Sequence, residues 1–449
     1  MMTLHDDILF RLRFSSTEDR PLAYRDGASI SVGQFRDDVE RLAQELTTEG
    51  DLLLTCDGRY GFAVGLLAAW LTEHAVILPP NRLPQTLEGI RANNQLVFEC
   101  DEGWQQDLKA SVSSNSERHG EWRLEFQVDR PAVRLFTSGS TGDPKIIPKT
   151  IGNLLAEANT LSRAFNWPDG TVVSTVPPQH QYGLTFSLLL PWTAGLPWAD
   201  ATPLYPEDIL ALVQATTAGT LISVPIQYKA MLADQIPLHS MTCVSAASPL
   251  MFDLAEAWWK LQGKEILEIY GSTETGVIAS RHQLTAPEWW PFEGVKVSTE
   301  RELLTVASPF VSNIYGERFQ SADHIQQSVT GGFQLLGRAD SIVKVGGKRI
   351  SLDGITKQIL ACEGVLDAAV ITQSSNGVIR DHVICAALVV ENINTFNIKK
   401  LRSFLRGRLD GIEVPKRLLF VDKLPRTANG KLPQKNLEQL FEVEEKDIV

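Results

Sequence analysis

The sequence predicts an α/β protein. A large N-terminal domain of layered α/β subdomains closes in a β-rich subdomain, and a small α+β C-terminal domain follows. Three observations predict it. Apolar runs of strand length alternate with stretches of helical spacing from residue 31 to residue 270. Val, Phe and turn residues gather from Trp289 to Phe319. After Arg338, two strand-length runs flank the pair Gly346-Gly347.

The first helix is announced by Ser31 with Gln34 three residues on, the spacing of a capping box. Phe35, Val39, Leu42, Ala43 and Leu46 then keep one apolar face until Gly50. Leu52 to Thr55 reads as a strand, Phe62 to Trp70 as a buried helix and Ala75 to Leu78 as a second strand, a βαβ rhythm that implies a parallel sheet. Beyond Thr150 the alternation resumes with helix-like Asn153 to Phe165, strand-like Val172 to Val176, helix-like Pro206 to Ala215 and strand-like Thr220 to Val224. Strand-like Thr242 to Ala246, helix-like Met251 to Leu261 and strand-like Glu265 to Tyr270 complete it. Ile342 to Val345 and Arg349 to Leu352 are short strands, and a boundary near Asp340 divides the chain into 1–339 and 340–449. No internal repeat, low-complexity tract or fused carrier domain is seen.

Composition narrows the function classes. With 449 residues the chain can bury a substantial core, and its 43% hydrophobic and 21% charged residues are those of ordinary globular protein. A net charge of -12 argues against general affinity for nucleic acid or anionic membrane. Cys56, Cys100, Cys243, Cys362 and Cys385 have neither metal-site nor disulfide-framework spacing, which fits a reducing cytoplasm. Asp6 and Asp7 stand where a secretory signal needs basic and then apolar residues. The longest apolar stretch, Gly61 to Leu71, is too short to cross a bilayer.

The chemistry concentrates in Leu135-Phe-Thr-Ser-Gly-Ser-Thr-Gly-Asp-Pro-Lys145, an apolar strand entering a loop of hydroxyls and glycines that ends in lysine. Gly139 and Gly142 let backbone N–H groups approach phosphate oxygens. Thr137, Ser138, Ser140 and Thr141 add hydroxyl donors, and Lys145 adds a mobile positive charge. Asp143-Pro144 separates Gly142 from Lys145, so the spacing is not that of a Walker P-loop, and kinase motifs are absent too.

The string Thr137 to Lys145 is similar to the phosphate loop of the adenylate-forming superfamily, which includes acyl- and aryl-CoA synthetases, nonribosomal peptide synthetase adenylation domains and luciferases. Further motifs follow in that family's order: Tyr270-Gly-Ser-Thr-Glu-Thr-Gly276, Gly337-Arg-Ala-Asp340, Val343-Lys-Val-Gly-Gly-Lys-Arg-Ile350 and Pro425-Arg-Thr-Ala-Asn-Gly-Lys431. Tyr270, beside the flexible Gly271, suits stacking on a purine, Thr273 suits a phosphate, and Glu274 offers a hard oxygen to Mg2+. The resemblance implies the same roles. It places Asp323 on the ribose hydroxyls, Arg338 on ribose or phosphate, and Lys431 on the adenylation transition state, with Thr141, His180, Glu274 and Lys431 as the catalytic set.

Pro177-Pro-Gln-His-Gln-Tyr-Gly183 resembles the family's acid-site wall, making His180 and Tyr182 candidates. Ser245-Ala-Ala-Ser-Pro-Leu250 resembles the segment along adenine and acyl group, which brings in Ala246, Ala247 and Ser248. The resemblance further implies a mobile C-terminal domain that turns about Asp340, so that Gly346 and Gly347 make room for a pantetheine arm. The implied activity is ATP- and Mg2+-dependent activation of an aryl or acyl acid to acyl-AMP, then transfer to CoA or carrier-protein phosphopantetheine. The compact length resembles ligases that load aromatic acids onto a stand-alone acyl carrier protein. Ser321-Ala322, Ser351 and Asp353-Gly354 depart from the family pattern. The alternative is a non-catalytic nucleotide-binding homologue on the same fold.

Overall fold

The described residues of the computed structural model are 9–15, 21–110, 121–138, 144–339, 342–345, 348–374, 382–409, 411–427 and 432–446. The chain is mixed α/β. It falls into a larger unit, Met1–Val297 with Val306–Phe319, and a smaller one, Ser298–Thr305 with Gln320–Val449.

In the larger unit the first helix, Val32–Glu45, starts where the capping box places it. Ser31 Oγ accepts from Gln34 N–H at 3.2 Å, and Ser31 N–H donates to Gln34 Oε1 at 2.8 Å. The helix ends short of Gly50 because the following backbone already serves a sheet: Asp51 N–H donates to Gln95 O at 2.8 Å. That sheet runs Leu96–Cys100, Asp51–Leu54, Val76–Ile77, Pro131–Ser138, Pro144–Thr150, parallel except for the last hairpin. The helix Arg59–Leu71 is buried on every side from Arg59 to Trp70, as its all-round apolar sequence requires.

A second sheet carries six successive parallel strands: Leu267–Ser272, Thr242–Ser245, Ala218–Ser223, Thr171–Ser174, Trp198–Ala199 and Ala23–Arg25. Antiparallel strands Gly276–His282 and Ala286–Pro291 continue it beyond Leu267–Ser272, and Ala28–Ile30 continues it beyond Ala23–Arg25. Four of the parallel strands end in serine (Ser174, Ser223, Ser245, Ser272), and the carboxyl ends of parallel strands are where open α/β sheets bind ligands. Arg59 fastens this region from below. Its buried guanidinium donates to Ala199 O at 2.6 Å, Ala201 O at 2.9 Å, Val176 O at 3.1 Å and Ser187 Oγ at 2.9 Å. Burial lowers its pKa only to about 10, so it remains charged.

The smaller unit pairs Phe319–Gln327 antiparallel with Phe333–Arg338, then forms the hairpin Ile342–Val345 and Lys348–Ser351. Helix Leu352–Leu360 follows, with Ser351 Oγ capping Gly354 N–H at 3.1 Å. Strands Val365–Ser374, His382–Val390 and Arg417–Phe420 form a sheet. One face packs on Ile355, Ile359, Leu401 and Leu405, the other on Leu437 and Phe441. Residues from Gln320 to Arg338 group with this unit, and Asp340 lies outside the described residues. Among the described residues no helix is long and apolar enough to cross a membrane. All five cysteines are buried.

Candidate active site

The segment Tyr270 to Gly276 forms the turn between Leu267–Ser272 and Gly276–His282. Its glycines are sterically required. At Gly271 a Cβ would meet Gly276 O at 2.4 Å. Gly276 has φ +69°, and its Cβ would come within 2.9 Å of Phe310 Cβ and 3.0 Å of Glu157 Cδ. Hydroxyls close the turn: Thr275 N–H donates to Ser272 Oγ at 3.3 Å and Ser272 N–H to Thr275 Oγ1 at 3.2 Å. Tyr270 is half-buried, its ring 5.5 Å from that of Trp289.

Glu274 is held by its backbone. Its carbonyl accepts from Lys149 Nζ at 3.0 Å and from Ser312 N–H at 2.9 Å. Among the described residues its half-buried carboxylate has no hydrogen-bond partner. Lys145 is exposed, with Nζ 4.7 Å from the centroid of Tyr315, and Tyr315 first, then the Glu274 charge, pushes its pKa up. It therefore stays a cation at neutral pH. Thr137 lies opposite Lys145 in the hairpin, and Ser138 opposite Pro144.

Two buried charges that the motifs do not include lie beneath this turn. Lys149 Nζ also donates to Phe310 O at 2.6 Å, and burial pushes its pKa down against the pull of Glu157 and Glu274. Glu157 accepts from Val277 N–H at 2.8 Å, Gln181 Nε2 at 2.7 Å and Thr185 Oγ1 at 3.3 Å. Burial pushes its pKa up, opposed chiefly by Lys149.

His180 is half-buried at the N-cap of Gln181–Leu184, which runs on through a π turn, Thr185–Leu189, into Leu190–Ala194. Such turns concentrate at functional sites. The single hydroxyl proton of Tyr182 is shared between Ser223 O and Val244 O, both 3.0 Å away, so what it can offer a ligand is its ring, not its hydroxyl. In the segment after Ser245, Ala246 is buried, Ser248 is half-buried and Ala247 is exposed in the left-handed region at φ 70°. Glu268 holds that segment. Its Oε1 accepts from Leu250 N–H at 3.0 Å, and its Oε2 pairs with Arg281 at 2.6 Å.

In the smaller unit Asp323 and Arg338 are direct cross-strand partners, with Arg338 Nη1 3.5 Å from Asp323 Oδ1. The departure at Ser321 has a local use: its hydroxyl donates to Asp323 Oδ2 at 3.0 Å and accepts from Asp323 N–H at 3.0 Å. Gly139, Ser140, Thr141, Gly142, Asp340, Gly346, Gly347 and Lys431 lie outside the described residues, as does the side chain of Ser138.

Residues 10–299 match the family model for AMP-binding enzyme, and residues 355–431 match the model for the AMP-binding enzyme C-terminal domain. The chain is similar to phosphinothricin tripeptide synthetase of Streptomyces viridochromogenes, 28% identical over 357 residues that cover 70% of this chain and 32% of that synthetase, so it spans about a third of the length of this relative. It is 29% identical over 305 residues to 4-coumarate–CoA ligase of Cereibacter sphaeroides, covering 66% of this chain and 69% of the ligase. The solved structure of o-succinylbenzoate coenzyme A synthetase from Bacillus subtilis, in complex with AMP, shares the fold. Its TM-score is 0.76 over 94% of this chain and 96% of that one, at 18% identity.

Proposed function

This chain belongs to the AMP-binding enzyme family, and from that premise we propose that it activates a small aryl or acyl carboxylic acid with ATP and Mg2+ and passes the acyl group to a thiol. In the first half-reaction an acid oxygen attacks the α-phosphorus of ATP, the bond to the diphosphate breaks and pyrophosphate leaves. In the second, a thiol sulfur of CoA or of carrier-protein phosphopantetheine attacks the acyl carbon and AMP departs. The buried thiols are consistent with work in a reducing cytoplasm.

The observation that carries this reading is the state of Glu274: a backbone pinned from two sides beneath a carboxylate with no hydrogen-bond partner among the described residues. Magnesium in nucleotide sites is held by one or two carboxylates with phosphate oxygens and water, not by an all-protein cage. The Glu274 carboxylate fits that donor set. Bound there, Mg2+ would neutralise charge on the phosphate oxygens.

The residues would divide the work. Lys145, Thr137, Ser138, Gly139, Ser140, Thr141 and Gly142 grip the phosphates together with Thr273. Tyr270 and Gly271 face the base, and Asp323 with Arg338 takes the ribose. His180, the Tyr182 ring, Ala246, Ala247 and Ser248 line the acid. Lys431 brings its ammonium to the developing charge, Asp340 is the hinge, and Gly346 and Gly347 admit pantetheine.

The test is acid-dependent exchange of pyrophosphate into ATP with a library of aryl and aliphatic acids. Exchange with at least one acid is expected, lowered on the order of 100-fold by Glu274→Gln. No exchange with any acid, in a protein that still binds ATP, overturns the reading in favour of a non-catalytic nucleotide binder.

A further inference from the structure

Lys149 and Glu157 are a cost that the fold has no packing reason to bear. An ammonium and a carboxylate, each 1% exposed, stand where apolar residues of similar size would serve a core as well or better. What the two charges hold is specific. The Lys149 ammonium gathers two carbonyls from separate segments, Glu274 O and Phe310 O. Because Ser312 N–H also donates to Glu274 O, the peptide that aims the Glu274 carboxylate is fixed from both sides.

Glu157 reaches the other end of the same turn. Its Oε1 accepts from Val277 N–H, in the space left open because residue 276 has no Cβ. Its Oε2 takes the Gln181 amide and the Thr185 hydroxyl, at the start of the helix capped by His180. One buried carboxylate thus joins the Glu274 turn to the His180 segment, and Lys149, four residues beyond Lys145, ties the Glu274 turn to the phosphate-loop hairpin.

We infer that Lys149 and Glu157 are positioning residues that set Glu274 against the phosphate side and the His180–Tyr182 segment against the acid side. This inference rests on the adenylation reading and assigns the two charges separate parts. Lys149 governs only the nucleotide side, whereas Glu157 governs both. The Gln181 Oε1 atom is buried with no hydrogen-bond partner among the described residues, so reversing its amide breaks no bond at that atom. Glu157→Gln is therefore tolerated, because the new amide would donate to the reversed Gln181 oxygen while its own oxygen still accepts from Val277 N–H.

The experiment combines calorimetric binding of MgATP with steady-state pyrophosphate exchange and thermal melting. Lys149→Met should bind MgATP about tenfold more weakly with the acid KM within roughly twofold of the parent. Glu157→Leu should raise the acid KM as well as weaken MgATP, and Glu157→Gln should restore both. If Glu157→Leu does not fold, Gln181→Met takes its place, with a raised acid KM and unchanged MgATP affinity expected. Parent-like MgATP affinity in Lys149→Met, or an unchanged acid KM in the acid-side variant, overturns the inference. A parent that binds no MgATP overturns the adenylation reading itself and this inference with it.

Discussion

Single residues show where chemical necessity and local comfort part. Ala247 is held at φ 70°, a conformation that costs a residue with a Cβ roughly 1–2 kcal/mol and costs glycine almost nothing sterically. Ala247→Gly should therefore raise stability by about 0.5–1 kcal/mol, seen as a higher urea midpoint at unchanged slope. If Ala247 also narrows the acid pocket, the same variant changes which acids support exchange. The motif residues were nameable as candidates from the sequence, because phosphate and metal chemistry call for such types and their order follows a known pattern. Lys149 and Glu157 were not. A lysine beside a helix cap reads as a surface charge, although Glu157 shares a face with Leu154, Ala158 and Leu161, and a carboxylate in that register was the available signal. The Tyr182 hydroxyl was equally hidden, since no local pattern says that two parallel strands end within its reach.

Secondary-structure elements follow the sequence where local rules suffice. The capping box at Ser31 is formed in both directions, so Ser31→Ala should cost about 1 kcal/mol, read from the urea midpoint, with exchange activity unchanged. An unchanged midpoint would mean that tertiary packing alone holds the helix. Most of the predicted α/β alternation falls within two residues of the observed elements, and Pro206–Ala215 has the bounds its proline start and apolar spacing indicate, but the buried helix read from Phe62 begins at Arg59, and the helices Pro84–Asn93 and Pro225–Ala233 were not read. The antiparallel pair Leu9–Phe14 with Trp122–Gln127 was not read. Leu12 and Phe14 alternate with Arg11 and Arg13 in a period-two pattern, but its partner is more than a hundred residues away. The π turn at Thr185–Leu189 lies inside a continuous apolar helix, where periodicity cannot distinguish one added residue per turn.

At the scale of the whole molecule, burial of the thiols and division into two units give the remaining predictions. Burial pushes Cys56 and Cys243 from an ordinary 9.0 up to about 12. The folded chain keeps these protons where the unfolded chain releases them, so this contribution to stability is present below about pH 9 and lost as pH rises towards 12. A thiol reagent should label the native protein slowly at pH 8 and all five cysteines rapidly in denaturant, and the urea midpoint should fall between pH 9 and 12. Fast labelling of the native protein would contradict the buried placement. The two-part architecture was legible from the change of character after Arg338. The grouping of Gln320 to Arg338 with the smaller unit was not, because it depends on packing between strands and not on local composition.

Lys431 and the residues proposed for phosphate binding lie far apart along the chain, and a lysine ammonium helps the step in which negative charge builds on phosphate, not the later attack of a thiol on a carbonyl. Lys431→Ala should therefore abolish acyl-AMP formation, followed as pyrophosphate exchange, while thioester formation from supplied acyl-AMP proceeds at near the parent rate. The comparison must use one preparation for both half-reactions, so that lost protein is not mistaken for lost chemistry. Equal loss of both steps would mean that Lys431 supports the fold or the acyl-AMP site generally, and the proposed division of labour between the half-reactions would fall.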